Sequence, residues 1–420
     1  VGQTVNTEEQ TDNAPLPPRV RYAIFCTLWR LEDEGSFVSD VTIVGAGAAG
    51  LAVAAQLKSR GVDSVVLERG DGVGASWRGR YDRLRLHTTR RLSALPGLAI
   101  PREYGRWVRR NDLVSYLQDY AEKFELDVRT GASVQRIEAA PDGGWSLQLA
   151  DGTTRSTGTL IVAIGYLHTP FIPAWPGRES WSERIIHSAQ YRNAKPFQGQ
   201  DVVVVGTGNS GAEIASDLAE GGAASVSLAV RTPPHIVPRA VAGWPAQMNG
   251  ILLGGLPERI FDPIAAGLMK VQMPDLRPYG LARPSEGLKK RLRTRRYVPL
   301  QDVGIVTDIR QRRVQPVAAV QSFSADSVEL EDGTRLQPDV LIAATGYATG
   351  LRELLADPTL INSDGIPVVH AGDPVRPGLY FVGYDVTLGG MLRQVGIEAK
   401  RVAKHIADSA DHRETEASAG

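Results

Sequence analysis

Two stretches of this chain, Gly45-Ala-Gly47-Ala-Ala-Gly50 and Gly206-Thr-Gly208-Asn-Ser-Gly211, repeat one glycine spacing about 160 residues apart. Each follows a short apolar run, Val41-Thr-Ile-Val44 or Asp201-Val-Val-Val-Val205. Each also opens a segment with apolar residues at helical spacing: Leu51, Ala54, Ala55 and Leu57 after the first, Ala212, Ile214, Ala215 and Leu218 after the second. Strand, glycine turn and helix in that order form a dinucleotide-binding unit. The glycines let the backbone approach a pyrophosphate, and the helix N-terminus turns free N–H groups and a partial positive charge toward it. Two such units predict an α/β protein with two Rossmann-like dinucleotide-binding domains, each built in three layers around a sheet.

The two units end differently. Ser64-Val-Val-Leu-Glu68 closes on a carboxylate, and Ser225-Val-Ser-Leu-Ala-Val-Arg231 closes on a guanidinium. A carboxylate there accepts hydrogen bonds from ribose hydroxyls and repels a 2′-phosphate, whereas an arginine grips that phosphate. The first unit therefore reads as a site for FAD and the second as a site for NADPH.

The charge balance is even, 47 basic against 47 acidic residues, which gives nucleic acid no electrostatic footprint. The basic stretch Lys289-Lys-Arg-Leu-Arg-Thr-Arg-Arg296 reads as a solvated helix face or a neighbour of the NADPH phosphates. A single cysteine, Cys26, excludes the disulfide oxidoreductases that combine FAD, NAD(P)H and a redox-active thiol pair, and argues for a reducing, cytoplasmic compartment. Only eight of the 47 basic residues are Lys, a skew that points to a GC-rich bacterial gene. No apolar run reaches the roughly 18 residues of a membrane span. The segment Ile251–Met273 is interrupted by Glu258, Arg259, Asp262 and Lys270 and reads as an amphipathic helix covering the active site, with a peripheral membrane contact as the alternative.

Residues 1–37 read as a disordered leader or a gene-model extension before the first strand. Residues 38–169 and 311–410 are expected to form the FAD domain, 170–310 an inserted NADPH domain with a substrate-entrance segment at 244–300, and 411–420 a flexible tail. Helices are expected at Asn111–Phe124 and Val395–Ile406, hairpin turns at Asp151-Gly152 and Asp332-Gly333, a short buried strand at Thr159–Gly165, a strand ending in a glycine loop at Asp339–Tyr347, and a last apolar segment at Gly378–Gly383. Pro170, Pro173 and Pro176 mark the crossing between domains.

As an ordered set these features resemble the class B flavin-dependent monooxygenases, the flavin-containing monooxygenase family, and within it the YUCCA-type enzymes. The marks are Gly45 to Gly50 with Glu68, Gly74-Ala-Ser-Trp77, Tyr81-Asp-Arg-Leu-Arg-Leu-His87, Gly206 to Gly211 with Arg231, Ala344-Thr-Gly-Tyr347 and Gly378-Leu-Tyr-Phe-Val-Gly383. The family signature F-x-G-x-x-x-H-x-x-x-Y falls on Trp181, Glu183, His187 and Tyr191, so its aromatic start and its glycine have changed. His187 reads as a hinge or packing residue or as a proton-transfer group.

The resemblance implies that NADPH reduces FAD and that the reduced flavin meets O2 to give a C4a-peroxyflavin, which oxygenates a small organic substrate. It implies cofactor contacts from Gly45, Gly47, Ala49, Gly50, Glu68, Arg69, Trp77 and His87, from Gly206, Gly208, Asn209, Ser210, Gly211 and Arg231, and from Thr345, Gly346 and Gly383. The implied catalytic residues are His87, Asn209 and Tyr347. His87 stands where many members carry Asn, which favours a substrate with a carbonyl or 2-oxo acid; it reads either as a proton-holding group or as a structural contact to the flavin. N- or S-oxygenation, Baeyer–Villiger oxygenation and an NADPH reductase without oxygenation remain as alternatives, as does assembly into a homo-oligomer. Trp244 and Tyr279 suit a planar ring at the substrate entrance.

Overall fold

Val41–Val44 is apolar but for Thr42 and buried at every position, as a strand covered on both faces must be. In the computed structural model, which describes residues 41–419, this strand is β1 at the heart of a six-stranded sheet. The leader read over residues 1–37 lies outside the described residues.

In chain order, β1 leads into α1 (Ala48–Lys58), β2 (Val65–Glu68), α2 (Arg110–Lys123), β3 (Asp127–Thr130) and β4 (Thr159–Val162). The short β5 (Thr169–Pro170) passes the chain to β6 (Arg184–His187), β7 (Asp201–Val205), α3 (Asn209–Glu220) and β8 (Ser225–Val230). Helices α4 (Ala246–Leu253), α5 (Glu258–Gln272) and α6 (Leu288–Arg295) follow, then β9 (Gln315–Ala318) and β10 (Val340–Ala343). The chain returns through β11 (Tyr347–Ala348) to β12 (Pro374–Arg376), β13 (Leu379–Phe381) and α7 (Met391–Ala419).

The first sheet has the order β12-β13-β4-β1-β2-β3 and the second β9-β8-β7-β10-β6. All neighbours are parallel except β12 and β13. In each sheet the strand that feeds a glycine turn is flanked on both sides, β1 by β2 and β4, and β7 by β8 and β10. Strand order reverses at that point and a crevice opens above the strand ends. This is the expected pair of Rossmann-like domains, each in three layers. Helices α1, α2 and α7 cover one face of the first sheet, and a small antiparallel sheet carrying Ile137, Trp145 and Leu147 covers the other. The second sheet repeats the plan, with α3 on one face and Phe323, Val328 and Leu330 of another small sheet on the other.

The second sheet is inserted between β4 and β12 of the first, but the chain does not return near residue 310. Strands β9 and β10 complete the second sheet, so residues 315–343 belong there rather than with residues 38–169. A short buried strand carries no mark of the sheet it joins, which is why the sequence misplaced this boundary. The tail also differs from expectation, since α7 continues to Ala419.

Candidate active site

Both glycine turns divide their labour in the same way. Gly45 has φ +107°, and a Cβ there would lie 2.7 Å from the Ala163 carbonyl oxygen; Gly206 has φ +113°, and its Cβ would lie 2.5 Å from that of Ala344. The third glycine of each turn lets helix and strand cross: a Cβ on Gly50 would sit 1.9 Å from Gly45 O, and one on Gly211 2.0 Å from Gly206 O. The middle glycines differ. Around Gly47 and Gly208 a Cβ would meet nothing within 4 Å. That open space lies beside a helix N-terminus with no side-chain cap in either unit, as a pyrophosphate cradle requires.

At the end of β2, Glu68 is buried and accepts the backbone N–H groups of Ala46 (2.8 Å) and Gly70 (2.7 Å). These bonds hold the carboxylate beside the turn and leave lone pairs for a ribose. A cavity of about 360 Å³ opens there, with Gly45, Gly47, Glu68, Arg69 and Ser76 on its walls. Ala49 faces Gly383, whose φ of +88° and missing Cβ allow the approach. Trp77 is half-buried against the first core and lines neither this cavity nor the one at His87 described below. In the second unit Arg231 is exposed just past β8, in a loop tied to the glycine turn by the Thr207 hydroxyl donating to Thr232 O (3.3 Å).

The two crossings between sheets run side by side, β5 pairing with β11. His187, 2 % exposed at the end of β6, fastens them. Its Nδ1 accepts the Ala189 N–H (3.1 Å), so its Nε2–H donates to Gly346 O (2.9 Å). Burial lowers its pKa and keeps the ring neutral. The hinge reading of His187 fits this geometry. Thr345 donates to Phe171 O at the same crossing, and Tyr347 meets Arg80 through its hydroxyl and the His187 ring edge-on. Thr345, Gly346 and Tyr347 thus lie at the crossing, and Tyr347 does not line the cavity that His87 and Asn209 share.

Those two residues share a cavity of about 220 Å³ where the starts of α3 and α7 meet helices α4 and α5. Leu253, Phe261, Leu268, Met269 and Met391 make its walls largely apolar. Asn209 is already engaged, accepting the Gln301 N–H (2.8 Å) and donating to Pro299 O (3.4 Å). His87 bonds through Nε2 to Glu213 Oε1. Tyr81, pushed well above its usual pKa by burial, hydrogen-bonds Ser210 and Glu213. Nearby Arg239 lies over the Trp107 ring at 4.3 Å and donates to Leu86 O; burial brings its pKa down to about 10.

Several of these residues carried no sequence signal. Glu213 looked like one polar position among the apolar ones of α3. Gln247, 2 % exposed, accepts the Thr89 N–H (2.9 Å) and donates to Gly389 O (2.7 Å), pinning α4 over the cavity. The entrance segment does line the site, but not through its expected aromatic residues. Trp244 is exposed and donates to Asn249, and Tyr279 packs on the second core. The basic stretch is structural in part: Arg291 is buried and donates to Pro233 O, Lys289 binds the carbonyls of Gly254 and Leu256, and Arg293 pairs with Glu258. Lys290, Arg293 and Arg295 of the same stretch are exposed, as a solvated helix face would have them.

Comparison with known proteins agrees with this architecture. The family model described as pyridine nucleotide-disulphide oxidoreductase matches residues 42–239. Indole-3-pyruvate monooxygenase YUCCA1 of Oryza sativa subsp. japonica is 35% identical over 385 residues, covering 89% of this chain and 93% of that protein. The probable indole-3-pyruvate monooxygenase YUCCA1 of Arabidopsis thaliana is 34% identical over 372 residues, 87% and 89% of the two chains. Among solved structures, a flavin-containing monooxygenase from Stenotrophomonas maltophilia superposes with a TM-score of 0.66 at 23% identity, over 89% of this chain and 98% of that one. The crystal structure of the OTEMO complex with FAD and NADP gives 0.68 at 17% identity over 91% and 87%. With its paired glycine cradles and single cysteine, the chain belongs to the flavin-dependent monooxygenases, the family that includes the YUCCA enzymes.

Proposed function

We propose that the first cradle holds FAD, the second holds NADPH, and the cavity at His87 takes a small 2-oxo acid that is oxidised with O2 to the carboxylic acid one carbon shorter. In balance, the oxo acid, O2, NADPH and a proton give the shortened acid, CO2, NADP+ and water. The observation that carries this reading is the cavity itself. Its walls are apolar, the start of α3 behind the second glycine turn reaches it, and His87 is the one imidazole among its lining side chains. The indole-3-pyruvate named for the rice and Arabidopsis relatives supports the substrate class.

Glu68 would hold the FAD ribose, and the turn at Gly47 and the start of α1 its pyrophosphate. Arg231 would hold the 2′-phosphate of NADPH beside the turn at Gly208. When bound, FAD supplies hydride acceptance from NADPH and the activation of O2. Leu253, Phe261, Leu268 and Met269 exclude water from the site. Gln247 keeps α4 in place over the cavity, and the His87 ring lines it.

The test is turnover of the FAD-loaded protein with NADPH under isotopically labelled O2, using indole- and phenyl-substituted pyruvates. One labelled oxygen in the shortened acid and one CO2 per NADPH are expected. Hydrogen peroxide with no labelled product from any substrate would overturn the reading in favour of a reductase.

A further inference from the structure

We infer that Glu213 is a positioning residue that fixes the tautomer of His87, so that Nδ1 is the proton-accepting atom of a ring that lines the substrate cavity. The inference rests on the proposed function only in taking that cavity as the substrate site.

The pair joins two parts of the fold. Glu213 sits in α3, just past the close crossing at Gly211, and is 4 % exposed. His87 ends the Tyr81–His87 segment, which belongs to the first unit's half of the chain and lies 126 residues away in sequence. A carboxylate can only accept, so the bond between Glu213 Oε1 and His87 Nε2 requires the proton on Nε2. Nδ1 is then a free acceptor in the neutral ring and an N–H donor in the charged one. It is shut off from solvent and has no hydrogen-bond partner within the chain, while the ring lines the cavity. An unmatched buried ring nitrogen is costly unless a ligand or water meets it.

The surroundings hold Glu213 in its acceptor role. The Tyr81 hydroxyl hydrogen-bonds it, Ser210 bonds that hydroxyl in turn, and Arg239 and Arg83 lie within electrostatic reach. Arg80 also lies within electrostatic reach of Tyr81. These groups stabilise a buried carboxylate that would otherwise be expensive to keep charged. Asn209, which begins α3, already bonds the backbone of Pro299 and Gln301. Of the polar groups contributed by α3, Glu213 therefore acts on the cavity through His87 rather than by direct contact.

The test uses the full-length, FAD-loaded protein labelled with 15N-histidine, and the His87 signals are assigned by their loss in His87→Asn. Wild-type His87 is expected to show the Nε2–H tautomer, with Nδ1 shifts that respond when a substrate analogue such as phenylpyruvate is added. Glu213→Gln should scramble the tautomer and lower product formed per NADPH at least about tenfold, with the KM for NADPH unchanged. Glu213→Asp should restore part of both. Glu213→Gln added to His87→Asn should cost nothing further, because the two act as a unit. An Nδ1–H tautomer in the wild type, or signals identical in Glu213→Gln, would overturn the inference. The tautomer is read without turnover, so a protein that makes no shortened acid would sink the proposed reaction and leave this result standing.

Discussion

Gly50 and Gly45 cross so closely that a Cβ on Gly50 would lie 1.9 Å from the Gly45 carbonyl oxygen, while Gly47 between them has no heavy atom within 4 Å of its own missing Cβ. One glycine motif therefore contains two kinds of constraint. Gly50 serves the fold, and Gly47 serves the ligand. Gly47→Val is expected to fold and melt near the wild-type temperature yet purify colourless. Gly50→Val should lose about 3 kcal/mol or more through overpacking against backbone. Flavin absorbance per chain together with thermal melts separates the two outcomes; a yellow, stoichiometric Gly47→Val protein would remove the first cradle from the assignment.

Arg231 stands exposed past β8, where a 2′-phosphate would be met by a guanidinium and by nothing else in the loop that is charged. Arg231→Ala should weaken NADPH by about 2 kcal/mol, the worth of a charge-assisted pair. Binding of NADH, which lacks the phosphate, should be unchanged. Titrating both nucleotides against the variant checks this, and equal losses for the two would refute the role.

His187 holds the hinge only as a neutral ring, because Nδ1 accepts from Ala189 while Nε2–H donates to Gly346 O. Burial depresses its pKa, and the same cause lowers that of His168, beside the β5–β11 pairing, to about 4. With the folded value below the unfolded one, the unfolded chain takes up protons first as the pH falls. The contribution of these two histidines is therefore full above about pH 6.5 and is lost toward pH 4. Thermal melts from pH 7.5 to 4.5 should show this decline, and His187→Gln should flatten it while lowering the melting temperature at pH 7.5. A pH slope unchanged in His187→Gln would show that other groups carry the acid sensitivity.

Glu398 of α7 is fully buried, accepts the Gly383 N–H (2.8 Å) with Oε2 and leaves Oε1 without a partner. Burial raises its pKa to about 7. Here the sign is opposite to that of His187: between the ordinary carboxylate value and 7 the folded state holds the proton and the unfolded state does not, so this group costs stability as pH rises. Glu398→Gln keeps an acceptor for Gly383 and cannot ionise. Its melting temperature should exceed that of the wild type by a few degrees at pH 8 and match it at pH 5. Equal differences at both pH values would mean that Glu398 does not titrate in this range.

The two strand, turn and helix units were legible in the sequence because their determinants are local. Val41–Val44 and Asp201–Val205, the glycines after them and the apolar spacing of α1 and α3 all lie within about 20 residues, and Glu68 and Arg231 are set by where β2 and β8 end. The fold class and both cradles follow from that much. What the tertiary structure alone decided is which distant groups meet. Val340–Ala343 reads equally well as a strand of either sheet until it pairs with β7 and β6. Tyr347 lies at the crossing between the sheets, against a histidine 160 positions earlier. His87 was visible, but Glu213 was not, because a carboxylate on a helix is ordinarily a solvated one and its burial against an imidazole depends on how two sheets are set together. Periodicity and turn chemistry act over a few residues, whereas burial and hydrogen-bond partners are properties of the packed whole.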